Sequence, residues 1–212
     1  MPERARILSV NVGGPAPLGR WRGQVIHSSI VKTPVEGRVR AEGANLEGDR
    51  QTDWRVHGGP DKAVYAYARE DADWWAAELG REIPPGMFGE NLTTAGVDCT
   101  NAVVGERWRV GTALLEVCQP RIPCFKLGLR FEDGTMVRRF GRASRPGAYL
   151  RIVEAGELGA GDAVEVVDRP GHGVTVRLVS DAILIDRALA AQALAAPQLA
   201  DGLREHLRGL AA

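Results

Sequence analysis

Glycine and proline cut this chain into short pieces. With 26 glycines and 12 prolines among 212 residues, the apolar runs stay brief, and none is long enough for a membrane span or the apolar part of a leader. Between the breaks the chain is β-branched and often alternates polar with apolar residues, as strands joined by tight turns do. Strands are expected over residues 7–12, 24–33, 39–46, 63–67, 107–110, 114–119, 149–153 and 163–167. The fold class is therefore mainly β, of barrel or sandwich type.

Two stretches share one design. Val104-Gly105-Glu106-Arg107-Trp108-Arg109-Val110 and Ala160-Gly161-Asp162-Ala163-Val164-Glu165-Val166 each place a glycine and an acid ahead of an alternating strand. Glycine supplies the turn and alternation supplies one buried face. Helical spacing appears at Ala72, Trp75, Ala76 and Leu79, with Gly80 as a stop, and a shorter basic helix is expected over 135–140. From about Ser180 the chain turns Ala- and Leu-rich, with Pro197 dividing it. That predicts a tail of two or three short helices, so the chain is expected to divide into a β-domain (1–170) and a small helical domain (171–212). Helices this short need a surface to pack on, either the barrel or a second copy in a homodimer.

Lys+Arg and Asp+Glu are equal at 27 each, so neither a nucleic-acid partner nor a membrane-binding face is expected. Three cysteines, Cys99, Cys118 and Cys124, cannot all pair, and reduced thiols in a cytoplasm are the reading. Their spacing, with the scattered histidines His27, His57, His172 and His206, fits no zinc pattern.

Chemistry concentrates in Gln119-Pro120-Arg121-Ile122-Pro123-Cys124-Phe125-Lys126-Leu127. The thiolate is the ligating and nucleophilic form of cysteine, and cations nearby lower the cost of making it. Three further segments are polar and flanked by glycine or proline: 28–37, 48–63 and 86–92. Brought together at one end of the β-domain, they would set Lys32, Arg50, Arg55, His57, Lys62, Arg121 and Lys126 around one thiol. Such a pocket suits an anion, and Gly58-Gly59 would let backbone N–H groups approach a phosphate closely. A thiolate there suits a soft metal or a soft electrophile. Asn91 offers both a donor and an acceptor to a polar ligand. Cys118, inside an alternating strand, and Cys99, in a polar turn, read as structural.

In this order, the runs Lys32-Thr33-Pro34-Val35, Gly48-Asp49-Arg50-Gln51, His57-Gly58-Gly59-Pro60-Asp61-Lys62-Ala63-Val64-Tyr65, Phe88-Gly89-Glu90-Asn91-Leu92 and 119–127 resemble the MOSC domain family, most closely its YiiM-like branch. The resemblance covers about residues 6–168, and the tail is similar to the small three-helix domain of that branch. It implies a MOSC-type β-barrel that binds molybdenum cofactor, a pterin carrying a dithiolene and a terminal phosphate. It further implies reduction of N-hydroxylated small molecules with electrons from a separate flavoprotein or iron–sulfur donor. Cys124 matches the metal ligand and catalytic position. Lys32, Arg50, His57, Gly58, Gly59, Lys62, Arg121 and Lys126 become candidates for holding phosphate and pterin. Asn91 and His57 would lie near the reacting centre. One departure is Val25-Ile26-His27-Ser28-Ser29, where relatives usually carry a threonine-glycine pair.

The residues leave two other readings open. One is a carrier that holds molybdenum cofactor or a persulfide on Cys124 and passes it on. The other is a metal-independent enzyme using Cys124 as nucleophile and His57 as base.

Overall fold

A computed structural model describes residues 5–52 and 58–212. His57 and Arg55 lie outside the described residues. In chain order the elements are β1 (Arg6–Val12), β2 (Ala16–Trp21), β3 (Gln24–Ser28), β4 (Thr33–Pro34), β5 (Arg38–Glu42), β6 (Asn45–Leu46), β7 (Val64–Ala68), α1 (Arg69–Leu79), β8 (Leu92–Ala95), β9 (Arg107–Val110) and β10 (Ala113–Pro120). They continue with α2 (Phe125–Phe131), α3 (Met136–Ala143), β11 (Ala148–Glu154), β12 (Gly156–Gly159), β13 (Val164–Asp168), α4 (Val176–Leu184), α5 (Ala190–Ala193) and α6 (Asp201–Ala211). A 3-10 turn, Pro60–Lys62, precedes β7. No helix of the described residues is long and apolar enough to cross a membrane.

Eight strands form one mixed sheet in the order β13-β9-β10-β11-β7-β8-β1-β4, with β12-β5-β6 and the hairpin β2-β3 beside it. Only the β7–β8 pair in the large sheet is parallel, Ala66 lying opposite Leu92. The two look-alike stretches became β9 and β13, which pair antiparallel with Val110 opposite Val164. A single bridge, Arg6 with Ala163, brings the start of β1 beside the start of β13. No strand ladder continues through that point, so the sheet does not close into a barrel by paired strands among the described residues.

Burial follows the side-chain alternation where one face is wet. Along β5, Val39 and Ala41 turn inward while Arg38, Arg40 and Glu42 face solvent. Strand β10 is buried along its whole length, as a central strand covered on both faces must be. Helix α4 packs on it, and Val176, Val179, Ala182, Ala190, Ala193, Leu199 and Leu207 join Val104, Leu115 and Val117 in one apolar cluster. The C-terminal helices thus cover the sheet face, which is how such short helices persist.

A second cluster is aromatic. Phe88 sits among Tyr67 at 4.4 Å, Phe131 at 5.0 Å and Phe140 at 5.7 Å between ring centroids. It ties the 86–91 loop to α2 and α3. Helix α2 falls where no helix is expected from the sequence. Its signal is the buried pair Leu127 and Phe131, four residues apart, interrupted by Gly128, a poor helix former.

Candidate functional site

Strand ends and the loops that join them make one cleft, partly open to solvent. Segment 28–32 starts at the last residue of β3, segment 49–52 follows β6, Lys62 ends the 3-10 turn, the 88–91 loop precedes β8, and 121–126 runs from β10 into the first turn of α2. Lys32, Arg50, Lys62, Asn91, Arg121, Cys124 and Lys126 all line this one cleft. Gly58 and Gly59 do not line it.

Cys124 is the only half-buried cysteine; Cys99 and Cys118 are fully buried. It caps the N-terminus of α2 in extended conformation and its side chain makes no capping bond. Burial pushes the Cys99 thiol up to about 12. Cys118 is pushed higher for the same reason, and it donates to the Asp61 carbonyl at 3.1 Å. The solvent-reachable sulfur is therefore the one in the cleft.

The cations divide into two kinds. Lys32, 8% exposed, forms an ion pair with Asp49, whose side chain is 4% exposed. Burial lowers the Lys32 pKa, and the carboxylate works against that shift. Asp49 Oδ1 also accepts from Gly13 N–H at 2.8 Å, and Oδ2 accepts from Asn91 Nδ2 at 3.0 Å. Asn91 is used up in turn: Oδ1 accepts from Tyr65 N–H at 3.1 Å, and Nδ2 also donates to the Asn11 carbonyl at 3.2 Å. Arg121, 7% exposed, donates to the Phe88 carbonyl and lies over the Tyr65 ring at 5.4 Å. These deep groups hold the floor together. Arg50 and Lys126 are the cations without a side-chain partner among the described cleft residues, and Arg50 is exposed.

The fit is tight where loops meet. Gly86 lies at φ +79°, and a Cβ there would stand 2.5 Å from the Lys32 carbonyl oxygen, so only glycine lets the two segments touch. Gly59 N–H, offered from sequence as a phosphate donor, instead donates to Gln51 Oε1 at 2.7 Å. Gln51 Nε2 donates to the carbonyls of Ala44 at 2.8 Å and Lys62 at 3.1 Å. That side chain saturates the turn from within.

Three residues went unread in the sequence: Asp49, Gln51 and Tyr149. The first two sit in a motif quoted above, but their partners lie 17 and 11 residues away, at Lys32 and Lys62, beyond any local pattern. Tyr149 lines the cleft from β11 with its ring 4.8 Å from that of Tyr65. Burial raises its pKa, so the phenol is neutral at ordinary pH. No group of three or more His, Cys, Asp or Glu side chains fit to hold a metal ion occurs among the described residues.

Comparisons with known proteins agree on a family. The MOSC domain pattern matches residues 53–165. Uncharacterized protein YflK of Bacillus subtilis (strain 168) is 37% identical over 178 residues, covering 84% of this chain and 80% of that one. The crystal structure of YiiM from Geobacillus stearothermophilus superimposes with a TM-score of 0.81 at 27% identity, covering 98% of this chain and 100% of that one. A protein of Gibberella moniliformis (strain M3125 / FGSC 7600) named as a reductase is 34% identical over 152 residues, 70% of this chain but only 27% of that longer protein.

Proposed function

This chain belongs to the MOSC domain family, in its YiiM-like branch, and from that premise we propose that it reduces N-hydroxylated bases and related N–O compounds using molybdenum cofactor held at Cys124. One observation carries the reading: the only half-buried thiol lines the same cleft as Arg50, Lys62 and Lys126. A thiolate suits a soft metal and cations suit a terminal phosphate. Among the described residues no group of three or more His, Cys, Asp or Glu side chains fit to hold a metal occurs, and a metal at Cys124 would take further ligands from an organic group. The dithiolene of the cofactor is of that kind.

When bound, the cofactor supplies the two-electron redox chemistry. The chain supplies the rest. Cys124 fixes the metal end, while Arg50 and Lys126, with Lys62, hold the phosphate. The Lys32–Asp49–Asn91 floor keeps the cleft's shape, because its polar groups are spent on one another. Tyr149 offers a neutral phenol to a polar substrate. Electrons come from a separate flavoprotein or iron–sulfur donor. The reductase name of the Gibberella relative is in keeping with this chemistry.

The test is metal analysis after expression in a strain that makes the cofactor, followed by turnover of an N-hydroxylated purine with a flavoprotein donor. Near-stoichiometric molybdenum that Cys124→Ser abolishes, together with turnover, is expected. Molybdenum far below one per chain, or unaffected by Cys124→Ser, refutes the proposal.

A further inference from the structure

Cys124 and Lys62 both line the cleft from segments about sixty residues apart, yet a short run of bonds joins those segments. Strand β10 ends at Cys118, Gln119 and Pro120, then leads through Arg121 to Cys124. Gln119, 5% exposed, donates from Nε2 to the Asp61 carbonyl at 2.8 Å, and Cys118 Sγ donates to the same oxygen at 3.1 Å. Asp61 is the residue before Lys62. Its carboxylate is fixed again from β11, where Arg151 Nε donates to Oδ1 at 2.8 Å. Arg151 is itself held by Glu116 at 3.0 Å, and Glu116 by Arg107 at 3.1 Å. On the other side Gln51 holds the Lys62 carbonyl and Gly59 N–H. Proline at 120 and 123 stiffens the arm that carries the thiol.

Building on the reading of the cleft as an anion site beside a thiolate, we infer that Gln119 and the Asp61–Arg151 pair are positioning residues that set the separation between the Cys124 sulfur and the Lys62 ammonium. A ligand that engages sulfur at one end and cations at the other is sensitive to that separation. Neither Gln119 nor Arg151 lines the cleft near the ligand's charged end, so their effect passes through Asp61.

Charge-selective alkylation of the full chain tests this without any cofactor. Iodoacetate and iodoacetamide both lose iodide to the same thiolate as the sulfur–carbon bond forms. Their rate ratio at Cys124, followed by mass spectrometry of its peptide, therefore cancels the thiol's ionisation and reads the local potential. The folded protein is expected to favour iodoacetate relative to the chain in urea. Lys62→Gln should lower the ratio about threefold, the scale of one nearby charge in a wet site. Gln119→Leu should reproduce most of that fall while the iodoacetamide rate stays within about twofold, and added salt should erase the difference. If Gln119→Leu unfolds, Arg151→Lys decides: it keeps the charge, loses the fork, and should give a smaller fall of the same sign. A fall in Lys62→Gln with none in the positioning variants overturns the inference and leaves the anion cleft standing. No fall in Lys62→Gln overturns the anion cleft and the inference with it.

Discussion

Asp49→Asn removes one charge from the floor of the cleft and keeps the side chain's shape. In the native protein the carboxylate accepts from the Lys32 ammonium and Gly13 N–H on Oδ1 and from Asn91 Nδ2 on Oδ2. An amide has one acceptor oxygen for these three donors. Turned to serve Lys32 and Gly13, it sets its own NH2 against that of Asn91. Asn91 cannot rotate to relieve the clash without abandoning Tyr65 N–H. Lys32, 8% exposed, is then a buried ammonium without its counterion, a situation that costs about 3–5 kcal/mol. For a chain of this size that lowers the melting temperature by roughly 6–20 °C. The sign of the pH dependence follows from the lysine. Its folded pKa is already lowered below 10.5 by burial, with Asp49 opposing, and the variant lowers it further. Between the folded and unfolded pKa values the unfolded chain holds more protons, so stability rises with pH there. The deficit of the variant should be greatest at neutral pH and shrink as pH climbs toward 10.5. Urea unfolding at neutral and alkaline pH measures both. A deficit under about 1 kcal/mol, or one that does not shrink with rising pH, refutes the argument.

Only one of the three cysteines should react with an aromatic disulfide reagent in native protein, because Cys99 and Cys118 are fully buried; two or more fast thiols would contradict the structure. Arg50→Ala and Lys126→Ala should each weaken pyrophosphate binding by about three- to tenfold while leaving the urea midpoint unchanged, since neither has a side-chain partner among the described residues; calorimetry checks the first and denaturation the second. Gly86→Ala meets both a φ of +79° and a carbonyl oxygen 2.5 Å away, so a loss of about 2 kcal/mol is expected in urea unfolding. Trp21 is 43% exposed and stacks on Phe125 at 5.1 Å; Trp21→Ala should cost only about 1 kcal/mol but expose the β2–β3 hairpin to trypsin at Arg20 and Arg22, which limited proteolysis would show.

Sequence patterns announced what local physics controls and missed what distant contacts decide. Residues 107–110 were expected as a strand and form β9, and the helix stop at Gly80 is a left-handed cap at φ +62°, because alternation and glycine act over a few residues. Strand β8 escaped notice. Leu92–Ala95 is short and buried throughout, with no alternation to mark it, and exists because β7 and β1 pair with it on either side. Hairpin strand β2 has almost no buried face to reveal it; Trp21 on Phe125 holds it in place.

The same divide runs through the cleft. The residue types that suit an anion and a soft metal could be read from the runs around Cys124, Lys32 and Lys62, since charge and softness belong to single side chains. Which of those side chains remain free for a ligand could not, because that depends on how donors and acceptors are shared across the fold. Lys32 and Asn91 have the right chemistry, but Lys32 is paired with Asp49 and Asn91 is bonded to Tyr65, Asn11 and Asp49; Arg121 gives an N–H to the Phe88 carbonyl and has no carboxylate partner among the described residues. Arg50 and Lys126 have the same charge and no such commitment. A buried cation that has found its carboxylate gains little from a second anion, which must displace the first or share it in a dry site. A rim cation has only water to give up. The cleft is thus built with a rigid interior and a responsive edge, and ligand affinity should follow substitutions at the edge while stability follows those inside.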